Sequence, residues 1–264
     1  MADIESNTKF AYTLSSKYNM VSQAYRSIQS LQQYVAPENI IVYFTPPRRD
    51  KDIEVLESLA VDVRKEENRT EAFEPRLFGE SRAFGEKISL CEIDSENLVI
   101  LDCDLIVTGD IWDILEGDFD FKARPDDAGF DEEQWDSIFE KRGLTPISWQ
   151  PNIGFMVFKN NMHQKVQDTW FEYIHEDIDY FYKGMQHKDA VSLSLALSEK
   201  AAEIETMNRK EHWMEWTDEP MKDTYIHHLH TPTHWTFFQH LFISLDRNTN
   251  SLLSKTRYKL SKMF

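Results

Sequence analysis

Leu98-Val-Ile-Leu-Asp102-Cys-Asp104-Leu-Ile-Val-Thr-Gly109-Asp110 is the stretch of sequence that decides the fold. Its first four residues are apolar, which is typical of a strand buried in a parallel sheet. Residues two apart on a strand point to the same side, so Asp102 and Asp104 are expected to converge where this strand ends. In open α/β sheets the ligand crevice lies outside the carboxyl ends of the strands, which makes the two carboxylates candidates for a ligand site.

The two carboxylates repel each other unless a cation joins them. Their hard oxygens suit Mg²⁺ or Mn²⁺. An Asp-x-Asp pair can instead cap a turn or pair with Lys or Arg. Because this pair directly follows a four-residue apolar run, we favour a metal site with Asp102 and Asp104 as ligands.

Predicted strands and helices alternate on both sides of this stretch. Apolar runs predict strands at 10–14, 40–44, 61–63, 98–101, 119–123, 153–158 and 225–229. Helical spacing of apolar residues predicts helices at 19–34, 52–59, 81–93, 161–175 and 189–197. The alternation indicates an α/β fold with a mostly parallel central sheet flanked by helices.

The chain of 264 residues shows no internal repeat and no Pro/Gly/Ser-rich linker, so one domain spanning 1–264 is the simplest organisation. Its net charge of −17 repels nucleic-acid phosphates, and no nucleic-acid partner is expected. The two cysteines are too few for a disulfide scaffold and suit a reducing cytosol. Neither a signal peptide nor an apolar run of about 18 residues is present, so a cytoplasmic location is expected.

The tail at 247–264 combines five basic residues with interleaved apolar ones and has no acidic residue. Segments of this kind bind anionic lipid surfaces, at about 1 kcal/mol per Lys or Arg. The tail therefore predicts a peripheral membrane contact. The alternative is that it packs on the acidic body as a closing helix.

The opening stretch resembles the Asp-x-Asp segment of glycosyltransferases with the A-type, Rossmann-like fold. It is closest to the family-eight type, which includes glycogenin-like and bacterial galactosyltransferase-like enzymes, and the resemblance covers roughly residues 9–240. It implies a single nucleotide-diphospho-sugar transferase domain. It further implies metal-dependent transfer of a sugar from a nucleotide-diphosphate-sugar, a UDP-sugar by expectation, to a glycan, a lipid-linked or another acceptor, with retention of the anomeric configuration.

The resemblance also implies which residues contact the donor. Those expected to bind its base, ribose or diphosphate are Tyr12, Thr13, Leu14, Lys87, Asp102, Cys103 and Asp104. Lys87 stands where the family places an Arg or Lys near the donor diphosphate, and the alternative is a solvated surface lysine.

Two further segments resemble parts of the family's sugar site. In Asn152-Ile-Gly154 the Asn would contact the donor sugar and the Gly would let the backbone approach it, although a turn Asn at a strand entry is the alternative. Asp189 matches an acidic position that faces the donor sugar, and a helix N-cap explains it equally well. Asn152 and Asp189 are therefore the candidate catalytic residues. The chain departs from the family at His187, where some members have a second Asp, and it lacks the usual Gln after Asp189.

A late histidine cluster resembles the segment that completes the family's metal site. In Tyr225-Ile-His227-His228-Leu-His230, strand alternation puts His228 and His230 on one side and His227 on the other. We expect His228 to be the third metal ligand, with His230 as second choice and His227 as third. Thr233-His234-Trp235 replaces the Lys-Pro-Trp ending of the family.

Other functional classes fit the sequence less well. The Asp-x-Asp motif of haloacid-dehalogenase-like phosphatases wants Thr or Val two residues after the second Asp, where this chain has Ile106. Sugar nucleotidyltransferases usually carry a Gly- and Arg-rich loop after the first strand, and residues 14–19 contain no Gly. A non-catalytic nucleotide-sugar-binding or glycan-binding protein stays open as an alternative.

Tryptophans provide candidate surfaces for the acceptor. Trp135 and Trp149 lie in a long acidic excursion at 125–150, on the expected acceptor side. Either of them can stack on an acceptor sugar or pack in the core, and both interpretations stay open. For Trp112, core packing is favoured.

Overall fold

The computed structural model describes residues 2–16, 19–69, 82–126, 131–176, 178, 181–182, 185–186, 188–215, 217–219, 221 and 223–229. The strands are β1 (Thr8–Ser15), β2 (Ile40–Thr45), β3 (Asp62–Lys65), β4 (Asn97–Leu101), β5 (Leu105–Val107), β6 (Phe121–Pro125), β7 (Pro151–Phe158), β8 (Phe181–Tyr182), β9 (Met185–Gln186), β10 (Ile204–Thr206), β11 (His212–Met214) and β12 (Ile226–His228). The α-helices are α1 (Ala2–Ser6), α2 (Met20–Leu31), α3 (Asp50–Glu57), α4 (Glu132–Glu140), α5 (Met162–His175) and α6 (Lys188–Glu199). Within these ranges, 3-10 helices cover Pro37–Asn39, Arg82–Glu92 and Ile111–Leu115.

The central sheet has seven strands in the order β10-β6-β7-β4-β1-β2-β3. Strands β3, β2, β1 and β4 are mutually parallel, and β10 is parallel to β6. Strand β7 runs antiparallel to both of its neighbours, β4 and β6. The other six strands therefore share one direction, which confirms the predicted α/β fold with a mostly parallel central sheet.

Strand β4 is buried on both of its faces. Val99 and Leu101 pack into the apolar cluster that contains the buried face of α2. Leu98 and Ile100 pack into a second cluster on the other side, with residues of α5. Burial on both faces explains why the strand is an unbroken apolar run rather than an alternating one.

A second sheet carries the histidine segment to the end of β4. Its order is β11-β12-β5, with β12 parallel to β11 and antiparallel to β5. This pairing puts His228 opposite Leu105, the first residue of β5. Since Leu105 directly follows Asp104, residues more than 120 positions apart in the chain become neighbours.

Three predicted elements differ in detail from the structure. Strand β4 ends at Leu101, so Asp102 and Asp104 lie in the turn that leads into β5 rather than on the strand itself. The strand predicted at 119–123 begins at Phe121, because Phe119 fills the core without pairing to a neighbouring strand. The helix predicted at 81–93 is a 3-10 helix over Arg82–Glu92.

The tryptophans separate by burial. Trp135 on α4 is fully buried, and its indole N–H donates to the carbonyl of Ile147 at 2.7 Å. Trp135 is therefore a core residue, and stacking on an acceptor sugar is excluded for it. Trp149 is only half-buried. Trp112 packs against the core edge-to-face with Phe10, in keeping with its expected core role.

Several predictions concern residues outside the described ranges. They include His187, His230, the Thr233-His234-Trp235 segment and the basic tail at 247–264. Across the described part of the chain, no helix has both the length and the apolar character needed to cross a bilayer.

His163 on α5 gives the fold a pH dependence that can be tested. It is fully buried, one ring nitrogen lies 3.0 Å from the carbonyl of Ile93, and burial lowers its pKa below the ordinary value near 6.5. In the unfolded chain the same side chain takes up a proton below about pH 6.5, so the stability it confers is present above that pH and is lost as pH falls toward the lowered folded-state pKa.

We therefore expect the free energy of unfolding to fall more steeply between about pH 7 and pH 5 in the wild type than in His163→Gln, by up to about 1.4 kcal/mol per pH unit. Denaturant titrations at several pH values measure the two slopes. His175→Gln is the control, because His175 is exposed. Equal slopes for wild type and His163→Gln would show that His163 is not kept neutral by burial.

Candidate metal centre and the adjoining cleft

Asp102, Asp104 and His228 form a compact group at the carboxyl end of β4. Each of the three offers one ligand atom, and these atoms lie within 4.8 Å of one another. The amide of Asp102 donates to the carbonyl of Gly154 at 2.7 Å, and the carbonyl of Asp104 accepts from the amide of Leu229 at 3.1 Å. Backbone hydrogen bonds to β7 and to the end of β12 therefore hold both aspartates in place.

The two neighbouring histidines of β12 face opposite ways. His228 is buried, and its Nε2 lies 3.3 Å from Oδ1 of Asp104. His227 hydrogen-bonds the hydroxyl of Thr224, and its ring centroid lies 5.2 Å from that of Trp213. The structure thus brings His228 to the two aspartates and directs His227 elsewhere.

Gly154 is where the cluster comes closest to the backbone of β7. A Cβ atom added at this position would overlap Cε1 of His228 and would lie 2.9 Å from Oδ2 of Asp102. Such contacts are closer than real side chains tolerate. Glycine is therefore required here for space, so that the imidazole and the carboxylate can both reach the same point.

Lys87 is buried beside Asp102 rather than solvated. Its Nζ lies 2.6 Å from Oδ1 of Asp102 and donates to the carbonyl of Ile153 at 3.0 Å. One alternative for the Asp-x-Asp motif was that it pairs with Lys or Arg. The structure shows such a pair between Asp102 and Lys87, while Asp104 faces His228.

The charge balance at Asp102 favours an additional cation. Burial raises the pKa of Asp102, the positive charge of Lys87 opposes that rise, and the negative charge of Asp104 adds to it. The single lysine does not compensate fully for burial and for the second carboxylate. A divalent cation would supply the missing positive charge, and two carboxylates with one imidazole are suitable ligands for Mn²⁺ or Mg²⁺.

A cleft of about 210 Å³ adjoins this group. It brings together side chains from six separate segments of the sequence. Its lining residues are Lys87, Asp102, Asp126, Gln150, Pro151, Asn152, Ile153, Gly154, Asp189, Ala190 and His228. Candidate sugar-site residues Asn152 and Asp189 therefore share one cleft with Lys87 and with two of the proposed metal ligands.

Local hydrogen bonds orient the two candidate sugar-site residues. The side-chain oxygen of Asn152 accepts from the amide of Gly154 at 3.0 Å. Asp189 lies in the first turn of α6, and its carboxylate accepts from the amide of Ala190 at 2.9 Å. Both side chains thus have a local structural role as well as a place in the cleft.

The segment at 12–14 is buried. The side chains of Tyr12 and Leu14 are fully buried in the apolar core, and the Tyr12 hydroxyl lies 3.0 Å from that of Ser27. Contact with a ligand through these two residues would therefore involve their backbone. Thr13 is buried, but its hydroxyl has no hydrogen-bond partner among the described residues. Cys103 is also buried, and burial holds the pKa of its thiol well above the ordinary value.

Sequence reasoning did not single out His212, Arg124 and Asp218. His212 is buried next to His228, and the guanidinium of Arg124 pairs with Asp218 and donates to the carbonyl of His212. The three residues stand at positions with no local motif. The pairing of β11 with β12 brings His212 to His228, and Arg124 comes from β6 of the central sheet. Arg124 is one of two buried basic residues of β6, and its pairing with Asp218 is visible only in the tertiary structure.

The sequence matches no known protein-family model and no curated protein. The structure resembles that of the galactosyltransferase LgtC in complex with donor and acceptor sugar analogues, with a TM-score of 0.60 and 13% identity over 94% of this chain and 99% of LgtC. Mouse xyloside xylosyltransferase 1 gives a TM-score of 0.51 and 12% identity over 86% of this chain and 98% of that enzyme. The glycosyltransferase GlyE of Streptococcus pneumoniae TIGR4 gives 0.55 and 14% identity over 97% of this chain and 64% of GlyE.

These similarities establish the fold. All three neighbours are glycosyltransferases, and each alignment spans most of this chain. At such low identities the likeness shows shared architecture, so the chain has the A-type glycosyltransferase fold expected from its Asp-x-Asp segment. The closer resemblance to family-eight enzymes stays a prediction.

Gly154→Ala tests the close approach at the metal group. The added methyl group would displace His228 and Asp102, so we expect Mn²⁺ affinity to fall roughly ten-fold or more while the fold persists. Calorimetric Mn²⁺ titration measures the affinity, and circular dichroism monitors the fold. Gly143→Ala is the control for a strained glycine substitution outside the cleft, because a Cβ there meets nothing within 4 Å but φ of +67° disfavours alanine. Unchanged Mn²⁺ affinity in Gly154→Ala would mean that His228 and Asp102 do not act together on a metal.

Proposed function

We propose that this chain is a divalent-metal-dependent glycosyltransferase that takes its sugar from a nucleoside-diphosphate-sugar, a UDP-sugar before others. The observation that carries the proposal is the group of Asp102, Asp104 and His228 at the carboxyl end of β4, in a fold shared with glycosyltransferases. In such a sheet this edge is where ligands bind.

The charges of the site support a metal-bound diphosphate. Asp126 and Asp189 line the cleft together with Asp102, and Asp104 stands beside it, whereas Lys87 contributes one positive charge. An anionic diphosphate would be repelled by this surface without a further cation. Asp102, Asp104 and His228 would hold Mn²⁺ or Mg²⁺, which when bound neutralises and orients the leaving diphosphate.

Other residues of the cleft would bind the diphosphate and the donor sugar. Lys87 lies beside Asp102, which supports the proposal that its ammonium group would bind a diphosphate oxygen at the metal group. Asn152 and Asp189 line the same cleft and offer an amide and a carboxylate to the hydroxyls of the donor sugar. We propose these two as the catalytic residues, with retention of configuration taken from the family resemblance.

We assign the acceptor side to the excursion at 125–150. Trp149 is half-buried near the residues that line the cleft, and it is the tryptophan of the excursion that can still stack on a sugar ring. We propose a glycan or lipid-linked acceptor at this side. A membrane contact through the tail at 247–264 stays a prediction from the sequence.

Asp104→Asn tests the metal dependence. Removing one carboxylate charge should reduce metal-stimulated release of nucleoside diphosphate at least about 100-fold, because a bound metal contributes several kcal/mol of charge stabilisation. Release is measured with a panel of nucleotide-sugars in Mn²⁺, in Mg²⁺ and in chelator. Asp118→Asn, at an exposed position away from the cleft, is the control and should keep full activity. Wild-type activity that survives complete chelation would contradict the metal role.

The second test concerns the nucleotide. We expect UDP to bind more tightly than GDP, CDP or dTDP in the presence of Mn²⁺. We expect all four to bind more weakly to Asp104→Asn, because the diphosphate that they share then loses its counterion. Calorimetry with the four nucleotides provides the comparison. Tighter binding of GDP would refute the UDP assignment. Tight UDP-sugar binding with no release of UDP, with or without acceptor, would instead identify a nucleotide-sugar-binding protein without turnover.

A further inference from the structure

His212 lies directly behind His228, on the side away from Asp104. Its Nε2 is 3.1 Å from Nδ1 of His228, and the two ring planes are within 15° of parallel. Strands β11 and β12 are parallel with His212 opposite Ile226, so the His212 side chain lies on the same face of the small sheet as His228, two residues further along.

The position of His212 is fixed by its surroundings. Arg124 donates to its backbone carbonyl at 2.6 Å and pairs with Asp218 through Nη2 and Oδ1 at 2.7 Å. Asp218 in turn accepts from the amide of Met214 at 2.8 Å. The ring of Phe155 meets the imidazole of His212 edge-to-face, with centroids 5.4 Å apart. A fully buried imidazole held in this way cannot easily turn away from its partner.

A hydrogen bond between two neutral imidazoles contains one proton, so one ring donates and the other accepts. If His228 uses the Nε2 lone pair on a metal, its own proton must be on Nδ1. That Nδ1–H then points at Nε2 of His212, which must accept. Metal-ligating histidines commonly need such a partner on the second nitrogen, because it fixes both the tautomer and the ring orientation.

The opposite arrangement suits the protein without metal. His228 then carries its proton on Nε2, facing Oδ1 of Asp104, and Nδ1 accepts from His212. In that case Nδ1 of His212 bears only a lone pair. This atom is buried and has no hydrogen-bond partner among the described residues. In the metal-bound arrangement the same Nδ1 of His212 carries the proton and has no acceptor among the described residues, a cost that the bond from His228 to the metal must offset. The direction of the hydrogen bond between the two rings therefore decides whether the Nε2 lone pair of His228 is available.

We infer that His212 is a positioning residue for the metal site, which accepts the Nδ1–H of His228 and thereby presents Nε2 of His228 to the ion. The inference rests on the proposed function, because it needs Asp102, Asp104 and His228 to be the ligands. His212 itself does not touch the ion.

Mn²⁺ affinity of the full chain, measured by electron paramagnetic resonance of the free ion, tests this role without relying on activity. His212→Phe keeps a ring but has no acceptor, and it should weaken Mn²⁺ binding by roughly 10- to 100-fold. His212→Gln places an amide oxygen near the former Nε2 and should recover most of the loss. His227→Phe is the matched control on the opposite face of β12 and should bind Mn²⁺ like the wild type.

Nitrogen-15 NMR of the histidine rings gives a second readout that a purely structural role would not move. In the wild type saturated with Mg²⁺, His228 should carry its proton on Nδ1, and His212 should also carry its proton on Nδ1, with its Nε2 as the acceptor. In the metal-free protein, His228 should carry its proton on Nε2. Should His212→Phe fail to fold, this comparison and the affinity of His212→Gln decide the matter. A Mg²⁺-saturated wild type in which His212 keeps its proton on Nε2 would overturn the inference.

Different results would contradict the metal site and the positioning role of His212. If the wild type binds Mn²⁺, Asp104→Asn does not, and folded His212→Phe binds as tightly as the wild type, His212 has no positioning role while the metal site stands. If the wild type binds neither Mn²⁺ nor Mg²⁺, the proposed function is wrong and the role of His212 fails with it.

Discussion

Two like charges at the end of one buried strand are the constraint on which the rest of the site depends. The side chains of β4 fix the strand from both sides, so the turn that follows it cannot move the carboxylates of Asp102 and Asp104 far into solvent. Two neighbouring side chains contact these carboxylates: Lys87 pairs with one aspartate and His228 faces the other. Burial raises the pKa of Asp102, Asp104 adds to that rise, and Lys87 opposes it only in part.

The second constraint is space. Strand β7 passes so close to the cluster that only the missing side chain of Gly154 lets His228 and Asp102 reach the same point. The small sheet of β11, β12 and β5 positions the imidazole of His228 on the other side of the cluster from β7. Because two sheets must meet within a few ångströms, the position of His228 depends on both of them, and on the buried Arg124–Asp218 pair that anchors β11.

The sequence predicted some features from local physics alone. An unbroken apolar run must be buried on both faces, and β4 is. Acidic residues directly after such a run must lie at the ligand edge of the sheet, as Asp102 and Asp104 do. Adjacent residues of a strand must face opposite ways, and His227 and His228 do. Each of these follows from properties of neighbouring residues, so it can be predicted without knowledge of the partner strands.

Other features were decided only by the tertiary structure. Whether Trp135 is core or surface depends on what packs over α4, and the sequence left both possibilities open until its burial was known. Lys87 could have been solvated, and only the packing of its 3-10 helix against β1 and β4 makes it the counterion of Asp102. His212 carries no motif at all, because its hydrogen bond to His228 is created by the pairing of two short strands. The spacing of apolar residues and the alternation of neighbouring side chains depend only on a short stretch of sequence. Contacts between sheets form only once the strands have paired.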